Sequence, residues 1–136
     1  MFLPSDHLVV KSIEKGEEAH FCEGAIPDGF VGVDIGPKTV ERYRAAMRGA
    51  KTILWNGPMG MFEQEGFSKG TAAIAQAIGR SRAYTVLCGG DTTSAVELYG
   101  NIDRLSYVST GGGAALEFLE NPQLPGIVAL TKRRKG

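Results

Sequence analysis

Residues 84–93 have the sequence Tyr-Thr-Val-Leu-Cys-Gly-Gly-Asp-Thr-Thr, in which a short apolar run leads directly into two glycines and three residues that favour helix starts. Two more segments have the same plan. An apolar run at 52–54 precedes the glycine-rich turn 55–63, and another at 105–108 precedes Ser-Thr-Gly-Gly-Gly at 109–113. A strand, a glycine-rich turn and a helix in succession are how α/β proteins build ligand sites beyond the carboxyl ends of parallel strands.

Turns of this kind suit an anionic ligand. Glycines let the backbone approach an anion closely, and a helix start offers free N–H groups and a favourable dipole. Three such turns in one chain therefore predict a phosphorylated ligand.

The rest of the chain alternates in the same way between apolar runs and helical patterns, which predicts parallel βαβ units. The predicted strands are 8–10, 19–22, 31–34, 51–55, 84–88, 105–108 and 127–130. The predicted helices run from Pro37 to a stop at Gly49, over 70–79, from a cap at 91–93 to a stop at Gly100, and over 113–120.

The composition excludes several classes of protein. The 136 residues carry 15 Lys and Arg against 15 Asp and Glu, so no overall charge draws the chain to nucleic acid or to a membrane surface. A basic run at 132–135 is interpreted as a solvated tail. Two cysteines and two histidines are scattered along the sequence without the spacing of a metal site. The first residues lack a secretory signal and no apolar stretch is long enough for a bilayer, which predicts a cytoplasmic protein.

The polar residues of the turns have both structural and functional interpretations. Asp91, the one carboxylate in the turns 89–93 and 109–113, is a helix N-cap, a ligand of Mg²⁺ that is shared with a phosphate, or both. Ser109 and Thr110 suit either a helix cap or hydroxyl donors.

Two further features of the turns leave alternatives open. Three glycines at 111–113 indicate either unusual backbone angles or a group that packs against bare backbone. Glu63 is either a carboxylate that accepts hydrogen bonds from ribose hydroxyls or a surface glutamate. The sequence has no GxxxxGK[ST] phosphate loop and no complete GxGxxG after a strand.

Five motifs, closed by Leu-Pro-Gly at 124–126, occur in an order that identifies a family. They are Gly-Val-Asp-Ile-Gly-Pro-Lys-Thr at 32–39, the turn 55–63, Phe-Ser-Lys-Gly-Thr at 67–71, Gly-Gly-Asp-Thr at 89–92 and Ser-Thr-Gly-Gly-Gly at 109–113. With them the chain closely resembles the phosphoglycerate kinases over nearly its whole length. The resemblance implies an α/β fold with a Rossmann-like parallel sheet and helices on both faces, in three αβα layers.

The resemblance further implies that residues 1–136 are an incomplete C-terminal, nucleotide-binding lobe of a two-lobe kinase. In the family, the N-terminal lobe binds the glycerate through basic residues, and the start of the C-terminal lobe supplies lysines to the nucleotide phosphates. Both are missing from this sequence. The implied partners are ATP or ADP, and 3-phosphoglycerate through the missing lobe, with no nucleic acid and no membrane. Members of the family are typically monomeric.

One group of residues corresponds to the family's pocket for the base and the ribose. Glu63 would hold the ribose, and Asn56 and Pro58 would shape the same pocket. The adenine slot would be lined by Gly32, Val33 and Met61.

A second group corresponds to the positions that meet the phosphates. Gly112 and Gly113 would be the catalytic pair, whose backbone N–H groups face the phosphoryl group in transfer. Where the family usually has a third glycine, this chain has Cys88, whose side chain would tighten the turn. The cofactor-binding residues would be Gly89, Gly90, Asp91 and Thr92, with Asp91 acting through Mg²⁺.

The implied activity is a glycolytic, Mg²⁺-dependent and reversible phosphoryl transfer with a carboxyl group as acceptor. It joins 1,3-bisphosphoglycerate and ADP with 3-phosphoglycerate and ATP. Such transfer needs positioning and charge stabilisation more than covalent help from the protein. The turns 89–93 and 109–113 contain no Lys or Arg, so the isolated chain is expected to have negligible turnover.

Three alternatives remain at this point. The first is a truncated module that binds MgADP without catalytic activity of its own. The second is a non-functional fragment whose exposed sheet edge associates with itself. The third, a dehydrogenase domain that binds NAD, is less favoured because the glycine fingerprint of that class is incomplete in this sequence.

Overall fold

The computed structural model describes residues 1–14 and 18–132, and these form two three-stranded sheets with helices packed against them. The strands are β1 (Asp6–Val10), β2 (His20–Glu23), β3 (Val31–Ile35), β4 (Thr52–Asn56), β5 (Tyr84–Cys88) and β6 (Tyr107–Ser109). The helices are α1 (Pro37–Met47), α2 (Lys69–Gly79), α3 (Gly90–Tyr99), α4 (Gly112–Glu120) and α5 (Pro125–Lys132), with short 3₁₀ helices at Glu65–Phe67 and Ile102–Arg104.

The second sheet is parallel, in the order β4-β5-β6. Its central strand is buried over its second half, with Leu87 among residues of α2 and α3. Helix α2 contributes Ile74 and Ile78, which lie four positions apart and therefore share one face. Trp55 of β4 joins the same core. The prediction of an α/β fold with a parallel sheet flanked by helices is confirmed.

The first sheet differs from the predicted parallel units, because β1 lies between β2 and β3 and is antiparallel to both. The segment that joins β1 to β2 has no helical pattern, and parallel neighbours need a crossover of a dozen or more residues, usually a helix. Leu8, Val9 and Val10 are consecutive and all buried, as expected of a central strand that is covered on both faces.

The strand predicted at 127–130 is wrong, because these residues lie in helix α5. A run of four apolar residues does not by itself distinguish a strand from a helix. Pro125 occupies the first position of the helix, where its missing N–H group has no cost. Leu130 is 73% exposed, so the run is not a buried strand. Residues 133–135 of the basic run lie outside the described residues, and no helix within the described part of the chain is long and apolar enough to cross a membrane.

Helix α1 is capped by a residue that is distant in sequence. Its N-cap residue is Gly36, which has no side chain, and the buried Asp6 of β1 takes over that role. The Asp6 carboxylate accepts the N–H of Lys38 at 2.9 Å, the N–H of Thr39 at 2.7 Å and the Thr39 hydroxyl at 2.6 Å. Burial raises the pKa of Asp6, but these hydrogen bonds from Thr39 and Lys38 outweigh it and hold the pKa below its ordinary value.

We expect Asp6→Asn to lower the free energy of unfolding by about 1–3 kcal/mol near neutral pH, because an amide cannot satisfy all three donors. The folded-state pKa of Asp6 is depressed, so its stabilisation is complete above about pH 4 and is lost as the pH falls through the lowered pKa. The difference between wild type and variant should therefore shrink in acid. Urea denaturation followed by circular dichroism, at about pH 7 and about pH 3, measures it.

Asp28→Asn is the matched control, because it makes the same chemical change in an exposed turn. It should leave the free energy of unfolding nearly unchanged at both pH values. A difference for Asp6→Asn that stays constant with pH would contradict the capping role of the carboxylate.

Candidate functional site

The three glycine-rich turns meet at one edge of the parallel sheet. Strands β4, β5 and β6 are neighbours that run in the same direction, so their carboxyl ends lie together. The Gly89 N–H donates to the Ser109 carbonyl at 2.9 Å, which joins the second and third turns. The side-chain amide of Asn56 donates to the Gly112 carbonyl at 3.2 Å, which joins the first turn to the third.

Two glycines at this edge are required by the backbone itself. Gly89 has φ +98°, in the left-handed region that favours glycine. A Cβ on Gly112 would lie 3.3 Å from the Gly89 Cα, so the two backbones approach each other directly. Gly90 and Gly113 are different, because a Cβ at either would meet no other described atom within 4 Å. Contacts within the described chain thus explain why position 112 is a glycine. They do not explain the glycines at positions 90 and 113, which have open space beside them.

Helices α3 and α4 both begin at this edge without a side-chain cap. Their N-cap residues are Gly89 and Gly111, which have no side chain to accept the first N–H groups of the helix. The N-cap interpretations of Asp91, Ser109 and Thr110 are therefore wrong, because each helix starts directly after a glycine that turns the chain. The first N–H groups of both helices lack intrahelical partners and carry the positive end of the helix dipole.

Asp91 lies in the first turn of α3 and is exposed. A carboxylate at this position is favoured by the helix dipole even without a ligand. Among the residues that the structure describes, no three His, Cys, Asp or Glu side chains converge on a common point.

Thr92 holds the first turn against helix α3. Its side chain is 1% exposed, and its hydroxyl accepts the Gly57 N–H at 2.8 Å. The hydroxyl is thus already engaged inside the protein. The contact with a phosphate that is expected of Thr92 would therefore come from its backbone N–H at the helix start and not from its hydroxyl.

Four of the predicted site residues line one cavity of about 330 Å³ on the far side of the first turn. The Met61 N–H donates to the Val33 carbonyl at 2.9 Å, which fixes the turn against β3. Glu63 is exposed and is not among the residues that line this cavity. The four predicted residues in the lining are Gly32, Val33, Pro58 and Met61.

The cavity and the glycine-rich edge are connected by the first turn. Asn56 contacts the edge and Pro58, two residues later, lines the cavity. A ligand with an apolar ring and a charged tail could therefore reach the cavity at one end of this turn and the N–H groups of the helix starts at the other.

Asp34 is a buried carboxylate in this region that the sequence analysis missed. It is 5% exposed and accepts the N–H of Gly70, at the start of α2, at 2.7 Å and its neighbour Ile35 N–H at 2.8 Å. Burial raises the pKa of Asp34, and the hydrogen bonds from Gly70 and Ile35 offset this only in part. A Cβ at Gly60 or Gly70 would lie within 3.0 Å of this carboxylate.

Comparison with known proteins places this architecture among its relatives. The phosphoglycerate kinase family model matches residues 1–122. The phosphoglycerate kinase of Anaeromyxobacter dehalogenans is 51% identical over 130 residues, which are 95% of this chain and 33% of the relative. That of Lactiplantibacillus plantarum is 46% identical over 134 residues, which are 98% of this chain and 34% of the relative.

Solved structures agree with the sequence relatives. Phosphoglycerate kinase from Coxiella burnetii superimposes with a TM-score of 0.85 at 45% identity, over 98% of this chain and 34% of that one. The enzyme from Pyrococcus horikoshii gives a TM-score of 0.78 at 36% identity, over 94% of this chain and 32% of that one. The chain thus spans about a third of the length of the relatives it matches.

We expect Thr92→Val to lower the free energy of unfolding by about 1–2 kcal/mol, because it removes the acceptor of the partly buried Gly57 N–H. The loss should also loosen the first turn, which an altered Gly57 amide resonance in a ¹H–¹⁵N spectrum would report. Urea denaturation measures the stability.

Thr93→Val on the same helix is the control for this change. Its hydroxyl donates to the Gly89 carbonyl within the same helical turn, so its loss leaves no donor unsatisfied. Equal losses of stability in the two variants would show that the Thr92 hydroxyl has no special role.

Proposed function

The chain belongs to the phosphoglycerate kinase family, and on this basis we propose that its glycine-rich edge binds the phosphates of ADP or ATP in such an enzyme. The proposed reaction transfers a phosphoryl group between 1,3-bisphosphoglycerate and ADP, giving 3-phosphoglycerate and ATP. The observation that carries the proposal is the convergence of three turns and two helix N-termini on one sheet edge.

The phosphate contacts are proposed to be backbone N–H groups. The helix starts at Gly90 and Gly112 supply N–H groups without side-chain caps and with a favourable dipole. Gly90 and Gly113 have no described atom in the space that a Cβ would occupy, which suits an oxyanion lying against bare backbone. Gly112 and Gly113 are proposed to stabilise the charge on the phosphoryl oxygens during transfer.

The residues at the edge fit a magnesium ion that is carried by the nucleotide. Mg²⁺ is typically held by one or two carboxylates together with substrate phosphates and water. Asp91 is exposed in the first turn of α3 and would be the protein ligand. When bound, the ion would neutralise negative charge on the phosphate oxygens.

The base and the ribose are proposed to lie along the first turn. Gly32, Val33, Pro58 and Met61 line a cavity of about 330 Å³ that would take the adenine. Asn56 would position the turn between this cavity and the phosphates. Glu63 is exposed, as a carboxylate that accepts hydrogen bonds from ribose hydroxyls would have to be.

The glycerate is proposed to bind in the part of the family's two-lobe architecture that this chain does not cover. The family assignment also suggests a glycolytic, cytoplasmic and monomeric enzyme, and these properties belong to the proposal. The turns 89–93 and 109–113 contain no Lys or Arg to balance the charge of the phosphates. This favours a second candidate for the isolated chain, which is a nucleotide-binding fragment without turnover.

Titration calorimetry of the folded chain with MgADP tests the binding site. We expect saturable binding in wild type and binding on the order of tenfold weaker or more in Asp91→Asn, which removes the proposed metal ligand. Glu97→Gln is the control, because it removes an exposed carboxylate from the same helix away from the edge. A folded chain that binds no MgADP, or equal weakening by both substitutions, would contradict the proposed site.

A coupled assay of ATP formation from 1,3-bisphosphoglycerate and MgADP tests the second candidate. We expect no turnover above background from the isolated chain, since the proposed phosphate site has no cationic side chains of its own. MgADP binding without turnover would support the nucleotide-binding fragment. ATP formation that Asp91→Asn abolishes would instead show that this chain is catalytically sufficient.

A further inference from the structure

The opposite edge of the parallel sheet carries a strongly basic groove. A cavity of about 430 Å³ lies where α1 and α2 end and where the loops that follow them lead into β4 and β5. We call it the basic groove. No Asp or Glu is among its described lining residues. The basic residues that line it are Arg44, Arg48, Lys51, Arg80 and Arg82.

The charge of the groove exceeds what the local structure requires. Five of the chain's 15 Lys and Arg residues line it, although the whole chain has a formal net charge of +0. Arg44 is paired with Glu41 at 3.1 Å, and the other four make no ion pair with any residue that the structure describes. Two helix C-termini contribute about half a negative charge each. Subtracting these and Glu41 from the five cations leaves about three positive charges.

The kind and placement of the cations favour phosphate groups. Four of the five are arginines, and a guanidinium can hold two phosphate oxygens at once. They come from two sides of the groove, since Arg48 follows α1 and Arg82 lies in the loop after α2. Met47, Ala50 and Ala77 form an apolar part of the lining between them. A ligand with several anionic groups could therefore contact both sides at the same time.

We propose that the basic groove binds a compact polyanion that carries several phosphate groups. The site is separate from the glycine-rich edge, because it lies at the amino ends of β4 and β5 and not at their carboxyl ends. The volume of the basic groove, about 430 Å³, suits a small anion. The described lining includes no aromatic side chain on which bases could stack, which argues against single-stranded nucleic acid as the occupant. The proposal does not depend on the proposed function.

The test is titration calorimetry of the whole chain with inorganic tripolyphosphate. We expect saturable binding in wild type that weakens as salt is added, because the groove charges are exposed. The double variant Arg48→Ala with Arg82→Ala should bind on the order of tenfold more weakly or worse. Circular dichroism and thermal melting confirm that each variant is folded.

The matched control removes two exposed cations elsewhere, by Lys11→Ala with Lys69→Ala, the latter at the opposite end of α2 from the groove. It lowers the net charge by the same amount and should change the affinity by less than about twofold, since exposed charges beyond a Debye length are largely screened. Equally weakened binding in the two double variants would show that general charge attraction, and not the groove, holds tripolyphosphate. That result would overturn the proposal.

Three other results would also overturn it. Absence of saturable tripolyphosphate binding by folded wild type would do so directly. Binding that ADP displaces and that the groove substitutions leave unchanged would place the anion at the glycine-rich edge. A single-stranded RNA oligonucleotide is titrated in parallel, and binding tighter than that of tripolyphosphate, lost in the groove variant, would assign the groove to nucleic acid instead.

Discussion

The backbones of Gly89 and Gly112 lie so close that a Cβ on Gly112 would be 3.3 Å from the Gly89 Cα, and the glycine-rich edge depends on that approach. Any side chain on Gly112 would press on the Gly89 Cα, which belongs to the turn after the neighbouring strand. The Gly89 N–H continues the pairing of β5 with β6 by one more hydrogen bond, to Ser109. A side chain on Gly112 would thus push apart the turns from which helices α3 and α4 begin. The partial positive charge that the two helix N-termini place at this edge thus depends on how closely the backbones pack.

Helices α1 and α2 both receive a buried carboxylate at their N-termini, and the two carboxylates have opposite energetics. Asp6 accepts two N–H groups and a hydroxyl, which together outweigh burial and lower its pKa. Asp34 accepts two N–H groups and no hydroxyl, and burial prevails, so its pKa is raised. The Thr39 hydroxyl and the nearby positive charge of Lys38 both favour the Asp6 anion, and neither has a counterpart at Asp34, whose ionisation therefore opposes folding.

Local patterns predicted much of this molecule, and long-range contacts account for most of the rest. The β5–α3 unit follows from an apolar run, two glycines and a stop at Gly100, and the structure confirms it. The helix N-termini that Asp6 and Asp34 bind lie more than 30 positions away, so no spacing in the sequence marks them. The antiparallel pairing of the first sheet and helix α5 were not predicted, because a short apolar run specifies neither the direction of a strand nor whether the run is a strand or a helix. The assignment of contacts to a nucleotide came from resemblance and stays a prediction.

The burial of Asp34 also limits how this part of the chain can evolve. Its carboxylate fits between Gly60 and Gly70, and neither glycine has room for a Cβ while the carboxylate stays in place. A smaller residue at position 34 would leave the Gly70 N–H without its acceptor. It would still make no room for a Cβ, because the Phe67 carbonyl oxygen would lie 2.7 Å from that of Gly60 and Ile35 Cγ1 would lie 2.5 Å from that of Gly70. A change at one of these three positions should therefore not compensate for a change at another. We expect each of them to tolerate little substitution, since backbone, side-chain packing and a buried hydrogen bond all limit the same small volume.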